Sequence, residues 1–406
     1  MGARVMRAML VAALLPTSSG AQTVLTESEA VARMSPDGPR VRAIRSSVEI
    51  ARAEVLNAGR WPNPRVNVGR ESAAGVSEVM ATVLQPLPIT GRRRLERASA
   101  TALVEASTYR ADDAVRRARA DLRIAYADLA AAQARERELA RAGARLQDLT
   151  GILEKREAAG ESAGFDRLRS EREVIDVDAD RAAATADRSR AQARLAGFFA
   201  TAPDPASLVA EERVIGARDV PPVDALVEQA ERLRGDIRAL QEEIASARFA
   251  LRASDRRRIP EPEVMAGTKS SSFAGGDVGG VIGIQAVLPL FDRGRPERAL
   301  AQARLAQAEA RLDAVRAVIR ADIGAWRAAA LDRRNAAARY RASALSTVSE
   351  VERIAQVSYD AGERSILELL DALRTSASAR IRQVTLDVAA REAEIELEFA
   401  SGWEIQ

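Results

Sequence analysis

The chain has 406 residues, of which 47% are apolar, 29% charged and only 3% aromatic, and its formal net charge is +3. That balance excludes disorder by composition and favours long helices with narrow apolar seams over a bulky globular core. Cys and His are both absent, which excludes a disulfide framework, Cys/His metal sites and any catalysis by thiol or imidazole. The arginines are interleaved with acids, as in Arg135-Glu136-Arg137-Glu138, the pattern of a solvated, ion-paired helix face rather than of a nucleic-acid surface.

Residues 1–21 read as a secretory signal: Arg4 and Arg7 form a positive start, Ala8 to Leu15 an apolar run, and Ser19-Gly20-Ala21 a small-residue cleavage site. No later stretch has the roughly 18 to 20 apolar residues of a membrane helix, so a span would have to be a closed β-barrel. Ahead of the first long helical tract, Arg65-Val66-Asn67-Val68 alternates in polarity and Val79 to Leu84 is β-branched and apolar, with a polar loop, Glu71 to Val76, between them. Strand, polar loop, strand is a hairpin signature. With flanking residues, each strand could reach the roughly 9 to 11 residues that cross a bilayer when tilted.

Prolines at Pro86 and Pro88 are followed by none until Pro203. Because proline costs a helix interior about 3 kcal/mol, this tract can hold long helices, and ~60 helical residues would extend about 90 Å. Leu122, Ala125, Tyr126, Leu129 and Ala132 keep to one helix face. Ala158-Ala159-Gly160-Glu161-Ser162-Ala163-Gly164 interrupts the tract, with glycine as a C-cap and Ser162 as an N-cap for the next helix, predicting an antiparallel helical hairpin.

The second half repeats this order. Glu263 to Thr268 and Val281 to Leu290 are the predicted strands, and Ser270 to Gly280 the loop between them. Leu305, Ala308, Leu312, Val315 and Ile319 form the helical seam, and Asp360-Ala361-Gly362-Glu363-Arg364-Ser365 the interruption, with Ser365 as the N-cap. Leu87-Pro88 and Gly91-Arg92 correspond to Leu288-Pro289 and Gly294-Arg295; Ala159-Gly160-Glu161 to Ala361-Gly362-Glu363; Asp166 to Glu368. The expected division is a first repeat of helix, strand, strand, helix, helix over 22–200, a linker over 201–222 and a second repeat over 223–406. Four strands cannot close a barrel in lipid, where at least about eight are needed and open edges are not tolerated. Three copies would supply about twelve, with room for a pore.

The chain resembles the outer-membrane efflux protein family, the TolC-like channels. The resemblance rests on Ala58-Gly59-Arg60-Trp61-Pro62-Asn63-Pro64, on Leu84 to Arg93, and on Tyr359 to Ala372, and it extends over nearly all the mature chain. The Pro-Asn-Pro junction leans toward the metal- and cation-efflux branch. The resemblance implies a mainly α fold with a small β part: helical hairpins forming a periplasmic tube, and four strands per protomer in a trimeric twelve-stranded outer-membrane barrel. It further implies a homotrimer that works with a periplasmic adaptor (a membrane fusion protein) and an inner-membrane efflux pump, the pump selecting and the channel conducting. Carried over residue by residue, Asp166, Glu368 and Asp371 form the periplasmic gate. Glu368 and Asp371 are three apart on one helix face, and threefold symmetry would make them carboxylate rings that favour cations. Gly160, Glu161, Ser162, Gly362, Glu363, Arg364 and Ser365 form the tips that dock the adaptor. No catalytic residue, cofactor or nucleic-acid partner is expected, since no nucleophile–base pair or metal cluster is present. The rival reading is a periplasmic coiled-coil adaptor or scaffold, which explains the helices but not two strand pairs duplicated with the hairpins.

Overall fold

A computed structural model describes residues 23–403 except 74, 161–163, 202, 212–218 and 292. The expected signal segment, part of the 201–222 linker, and the tip residues Glu161 and Ser162 lie outside the described residues. A short strand β1 (Thr23–Leu25) and α1 (Glu27–Arg33) are followed by α2 (Pro39–Gly59), β2 (Arg65–Ala73), β3 (Val76–Pro86), α3 (Arg92–Ala158), α4 (Gly164–Ala196) and a short β4 (Leu208–Ala210). Next come α5 (Val223–Leu233), α6 (Gly235–Arg256), β5 (Pro262–Ser271), β6 (Asp277–Ala286), α7 (Arg295–Tyr340), a π-turn over Arg341–Leu345, α8 (Ser346–Asp360) and α9 (Ile366–Ser401).

The proline-free tracts form the struts that the composition called for. α3 runs 67 residues, about 100 Å at ~1.5 Å per residue. Its counterpart runs from Arg295 to Asp360, interrupted only by the π-turn. Alanines in the α3 seam, among them Ala100, Ala106, Ala118 and Ala125, are buried and let neighbouring helices approach closely. The strand-proximal part of α3 packs on α2 and α6 and the distal part on α4; α9 packs on α7, α8 and α3.

Three apolar clusters hold the helices. One joins α1, α3, α4, β1 and β4 through Leu122, Ala125, Tyr126 and Leu129. A second joins α5, α6, α7 and α9 through Ala308, Leu312 and Ile319, with Leu305 and Val315 against it. The third gathers the far ends of both hairpins. The seams read from the sequence are thus core, with Ala132 only half-buried. Nothing in the sequence pattern had singled out the parallel β1–β4 pair. Its backbone is satisfied by buried side chains at long sequence separation: Gln133 accepts from the Ala210 N–H at 2.9 Å, Gln192 donates to the Leu208 carbonyl at 2.8 Å, and the Tyr126 hydroxyl donates to the Leu25 carbonyl at 2.8 Å.

The other four strands form one antiparallel sheet in the order β2-β3-β5-β6, with lengths of 9, 11, 10 and 10 residues. All helices attach at one end of it and both hairpin turns lie at the other. Strand boundaries differ from the sequence reading. β2 and β3 extend through most of the predicted Glu71–Val76 loop, leaving a tight turn around Gly75 (φ +83°). β6 ends at Ala286 rather than Leu290 and begins at Asp277, so Gly279 and Gly280, expected in a loop, are strand residues opposite Lys269 and Thr268. Backbone pairing with β5 recruits these glycines despite their low β-propensity, and the Pro289 segment lies beyond the ladder.

Register sorts the sheet into two faces, because residues directly opposite share a side. One, mainly apolar, carries Val66, Val68, Val79, Val83, Val264, Ala266, Ile282 and Ile284 with Arg70, Gln85 and Ser270; the other, mainly polar, carries Arg65, Asn67, Glu71, Glu78, Glu263, Lys269, Asp277 and Gln285 with Met80, Leu84 and Met265. Ile282 and Ile284 are 85% and 78% exposed. On the polar face Lys269 pairs with Glu78 at 2.6 Å. There Arg65 also pairs with Glu263, which accepts from Gln285 at 3.0 Å. Alternation of a mainly apolar and a mainly polar face is the pattern of a membrane barrel wall.

Candidate functional site

The two hairpin turns lie side by side at the end opposite the sheet. Leu146, Leu149 and Leu153 of α3 pack with Ala355 and Tyr359 of α8 and with Ile366, Leu369 and Leu370 of α9. Each turn closes on a left-handed glycine, Gly160 at φ +75° and Gly362 at φ +72°, a conformation that costs other residues about 1–2 kcal/mol. Gly160 donates to the Glu157 carbonyl at 2.9 Å and Gly362 to that of Tyr359 at 3.0 Å, so both interruptions terminate helices as their sequence predicts. Ser365 occupies the N-cap of α9. Its hydroxyl makes no capping bond; the carbonyl accepts from the Glu368 N–H at 3.2 Å instead. Gly362, Glu363, Arg364 and Ser365 are all exposed.

Glu368 and Asp371 fall on the first turns of α9 and are exposed, while Ile366, Leu369 and Leu370 on the same helix face the core. The helical period therefore brings the two carboxylates onto one face turned away from the protomer's own packing. Arg364 stands 3.5 Å from Glu368, a solvent-exposed contact of little energetic weight. Asp166 lies in the first turn of α4 and has no ion pair among the described residues. The arginine beside it, Arg167, is engaged by Glu157 at 2.6 Å and Glu171 at 2.5 Å. Among the described residues, no ion pair or hydrogen bond links Asp166 to Glu368 or Asp371. Among the described residues no group of three acids is arranged to hold a metal ion.

Polar contacts that the sequence reading did not anticipate tie the hairpins together just inside the tips. The guanidinium of Arg156 lies 5.5 Å from the centre of the Tyr359 ring and 3.8 Å from Asp360. Glu352 of α8, almost buried, is gripped by Arg145 of α3 and by Arg380 of α9, the latter at 2.9 Å. Burial alone would raise the Glu352 pKa, but Arg380 and Arg145 hold it below the usual carboxylate range. These partners are up to 207 residues apart, and no local periodicity signals such a pairing.

A long helical hairpin array hung from a four-stranded sheet with two unlike faces defines a class of fold, the TolC-like architecture. Residues 226–403 match the family model described as outer membrane efflux protein. Over 289 residues it is 28% identical to the nickel-cobalt-cadmium resistance protein NccC of Alcaligenes xylosoxydans xylosoxydans, a match covering 68% of this chain and 64% of NccC. It is also 28% identical to the nickel and cobalt resistance protein CnrC of Cupriavidus metallidurans, over 68% of this chain and 67% of CnrC. The match therefore spans a little under two thirds of the length of NccC. In fold, it is similar to the outer membrane protein VceC from Vibrio cholerae, with a TM-score of 0.76 at 18% identity over 93% of this chain and 96% of VceC.

Proposed function

We propose that three copies of this chain form an outer-membrane channel that carries substrates from a periplasmic adaptor and inner-membrane pump to the outside. The observation that carries this reading is the sheet. Its β2 and β6 edges have no partner strand among the described residues, one face is apolar, and lipid does not tolerate unpaired backbone. Three copies give twelve strands, a wall that closes on itself around a polar interior. The long struts then stand around a common axis as a tube.

In this reading Glu368 and Asp371 line the narrow periplasmic mouth. Their exposure away from the protomer core supports it, since that face is free to turn toward the axis. Threefold symmetry makes each a ring of carboxylates, which attracts cations and resists closure by mutual repulsion. Asp166, without an ion pair among the described residues of its own protomer, is a gate member for a neighbour's arginine. The contacts of Arg156 with Tyr359 and Asp360, and of Glu352 with Arg145 and Arg380, hold the α8–α9 hairpin against α3 while the mouth is closed. The tip residues Gly160, Glu161 and Ser162, and the exposed Gly362 to Ser365, receive the adaptor. The names of NccC and CnrC support divalent metal cations as the cargo, with selection made by the pump.

Planar-bilayer conductance of the wild type and of a Glu368→Ala, Asp371→Ala double variant tests the gate. The variant is expected to conduct more or to lose cation preference by several-fold. Conductance and selectivity equal to the wild type would remove the gate assignment. No pore and no heat-labile trimer in the wild type would remove the channel.

A further inference from the structure

The four segments that join strands to helices, taken with the adjoining helix ends, carry an unusual charge. Residues 60–64, 87–97, 255–261 and 287–298 contain eleven arginines against five acids, a surplus of six in a chain whose total surplus is three. Of the described acids in this band, Glu96 and Glu261 are taken by Arg92, Asp255 by Arg298 and Glu297 by Arg257. Arg60, Arg94, Arg256, Arg258, Arg293 and Arg295 are exposed and have no ion pair among the described residues.

The same segments expose large apolar side chains: Trp61, Ile89, Ile259, Leu288, Leu290 and Phe291, the last 96% exposed. Arg93 lies over the Trp61 ring at 4.7 Å from its centre. These groups lie at the helical end of the sheet, just beyond its ladders. An apolar band edged by aromatics and then by arginines is what a membrane interface selects, since the stems lie along acyl chains while the guanidinium heads reach the headgroup layer. Arginine is also the side chain whose fork fits phosphate oxygens two at a time.

We propose that this band is a binding belt for the phosphodiester headgroups of anionic phospholipid in the periplasmic-side leaflet. The belt rests on the barrel reading above. It goes beyond that reading by assigning a lipid class and the residues that hold it. Zwitterionic headgroups offer the same phosphate but carry a compensating ammonium, so the surplus of unpaired arginines selects for lipids with net negative charge. The belt fixes the height of the barrel in the bilayer and therefore the reach of the tube.

The test uses detergent-purified trimers of the full chain, titrated with short-chain phosphatidylglycerol or phosphatidylcholine. Bound lipid is counted by native mass spectrometry, and Trp61 fluorescence is followed in a Trp326→Phe, Trp403→Phe background. The wild type is expected to take up phosphatidylglycerol at a concentration at least ten-fold lower than phosphatidylcholine. High salt should narrow this ratio, and an Arg256→Gln, Arg258→Gln, Arg293→Gln, Arg295→Gln variant should reduce it to three-fold or less. Millimolar inorganic phosphate should not displace the lipid. Equal uptake of the two lipids by the wild type, or an undiminished preference in the variant, overturns the belt. Full displacement by phosphate overturns the lipid as its occupant. Heat-lability and conductance of the same trimers separate the cases: an intact pore without lipid preference sinks the belt alone, whereas no trimer and no pore sinks the channel.

Discussion

Burial and charge pull against each other at the carboxylates between α1, α3 and α9. Glu27 is shared by Arg391 at 2.7 Å and Arg123 at 2.5 Å, while Arg123 also reaches Glu398 at 2.5 Å. Burial would raise Glu27, but Arg391 and Arg123 win and hold it below its usual 4.5. At Glu398 burial prevails over Arg123 and Arg391, and its pKa is raised. One helical turn or more away, Glu392 of α9 faces Asp128 of α3. Burial and then the Asp128 charge raise Glu392, with Arg333 and Arg194 opposing. Burial likewise raises Asp128, although Arg194 stands 2.6 Å from it. A carboxyl raised above 4.5 keeps its proton to a higher pH in the folded protein. Its stabilising contribution is present in acid and is lost as pH rises through the folded value. For Glu27 the sign is reversed: its contribution holds above 4.5 and is lost as pH falls through the lowered value. Glu392→Gln keeps the Asp128–Arg194 pair and offers Asp128 an amide donor. Its unfolding free energy from urea titration at pH 7.5 should exceed that of the wild type by up to about 1 kcal/mol, the worth of one added hydrogen bond. At pH 5 the difference should shrink, and an equal gain at both pH values would refute the raised pKa of Glu392.

Among the elements, the sheet depends on one close approach. Gly267 of β5 lies opposite Thr82 of β3, and a Cβ there would collide with the Ala81 carbonyl oxygen and with Thr82 itself. Gly279 of β6 has open space around its Cβ direction. Gly267→Ala is therefore expected to cost about 1–3 kcal/mol through strain at the β3–β5 seam, whereas Gly279→Ala should be nearly neutral. Recovery of heat-modifiable protein from the membrane fraction measures both. That seam joins the two halves of the chain, so its failure removes the wall rather than a single hairpin. Two glycines alike in sequence are separated only by what lies across the ladder.

For the whole molecule, closure of the barrel requires β2 of one copy to meet β6 of the next. The chain has no cysteine of its own, which makes engineered cross-links unambiguous. Val68→Cys on β2, combined with Gly280→Cys, Ile282→Cys or Ile284→Cys on β6, places thiols on the same apolar face. At least one combination should oxidise to covalent dimers and trimers on non-reducing gels, and each single cysteine should not. Failure of every combination would mean that the two edges do not face each other.

Much of this was decided by local physics. Proline spacing set where α3 and the α7–α8 strut could run, because one misplaced pyrrolidine breaks a helix. Gly160 and Gly362 set where those helices turn back, because each turn needs a left-handed residue. The seams Leu122 to Leu129 and Ala308 to Ile319 followed from a period of 3.6. Glu368 and Asp371 share an exposed face for the same reason. The tertiary structure alone decided the rest. Gly279 and Gly280 became strand only through pairing with β5. The grip of Arg145 and Arg380 on Glu352 and the Gln133, Gln192 and Tyr126 bonds to β1 and β4 join residues distant along the chain. Local propensity and periodicity see one element at a time, whereas these features exist only once two elements have met.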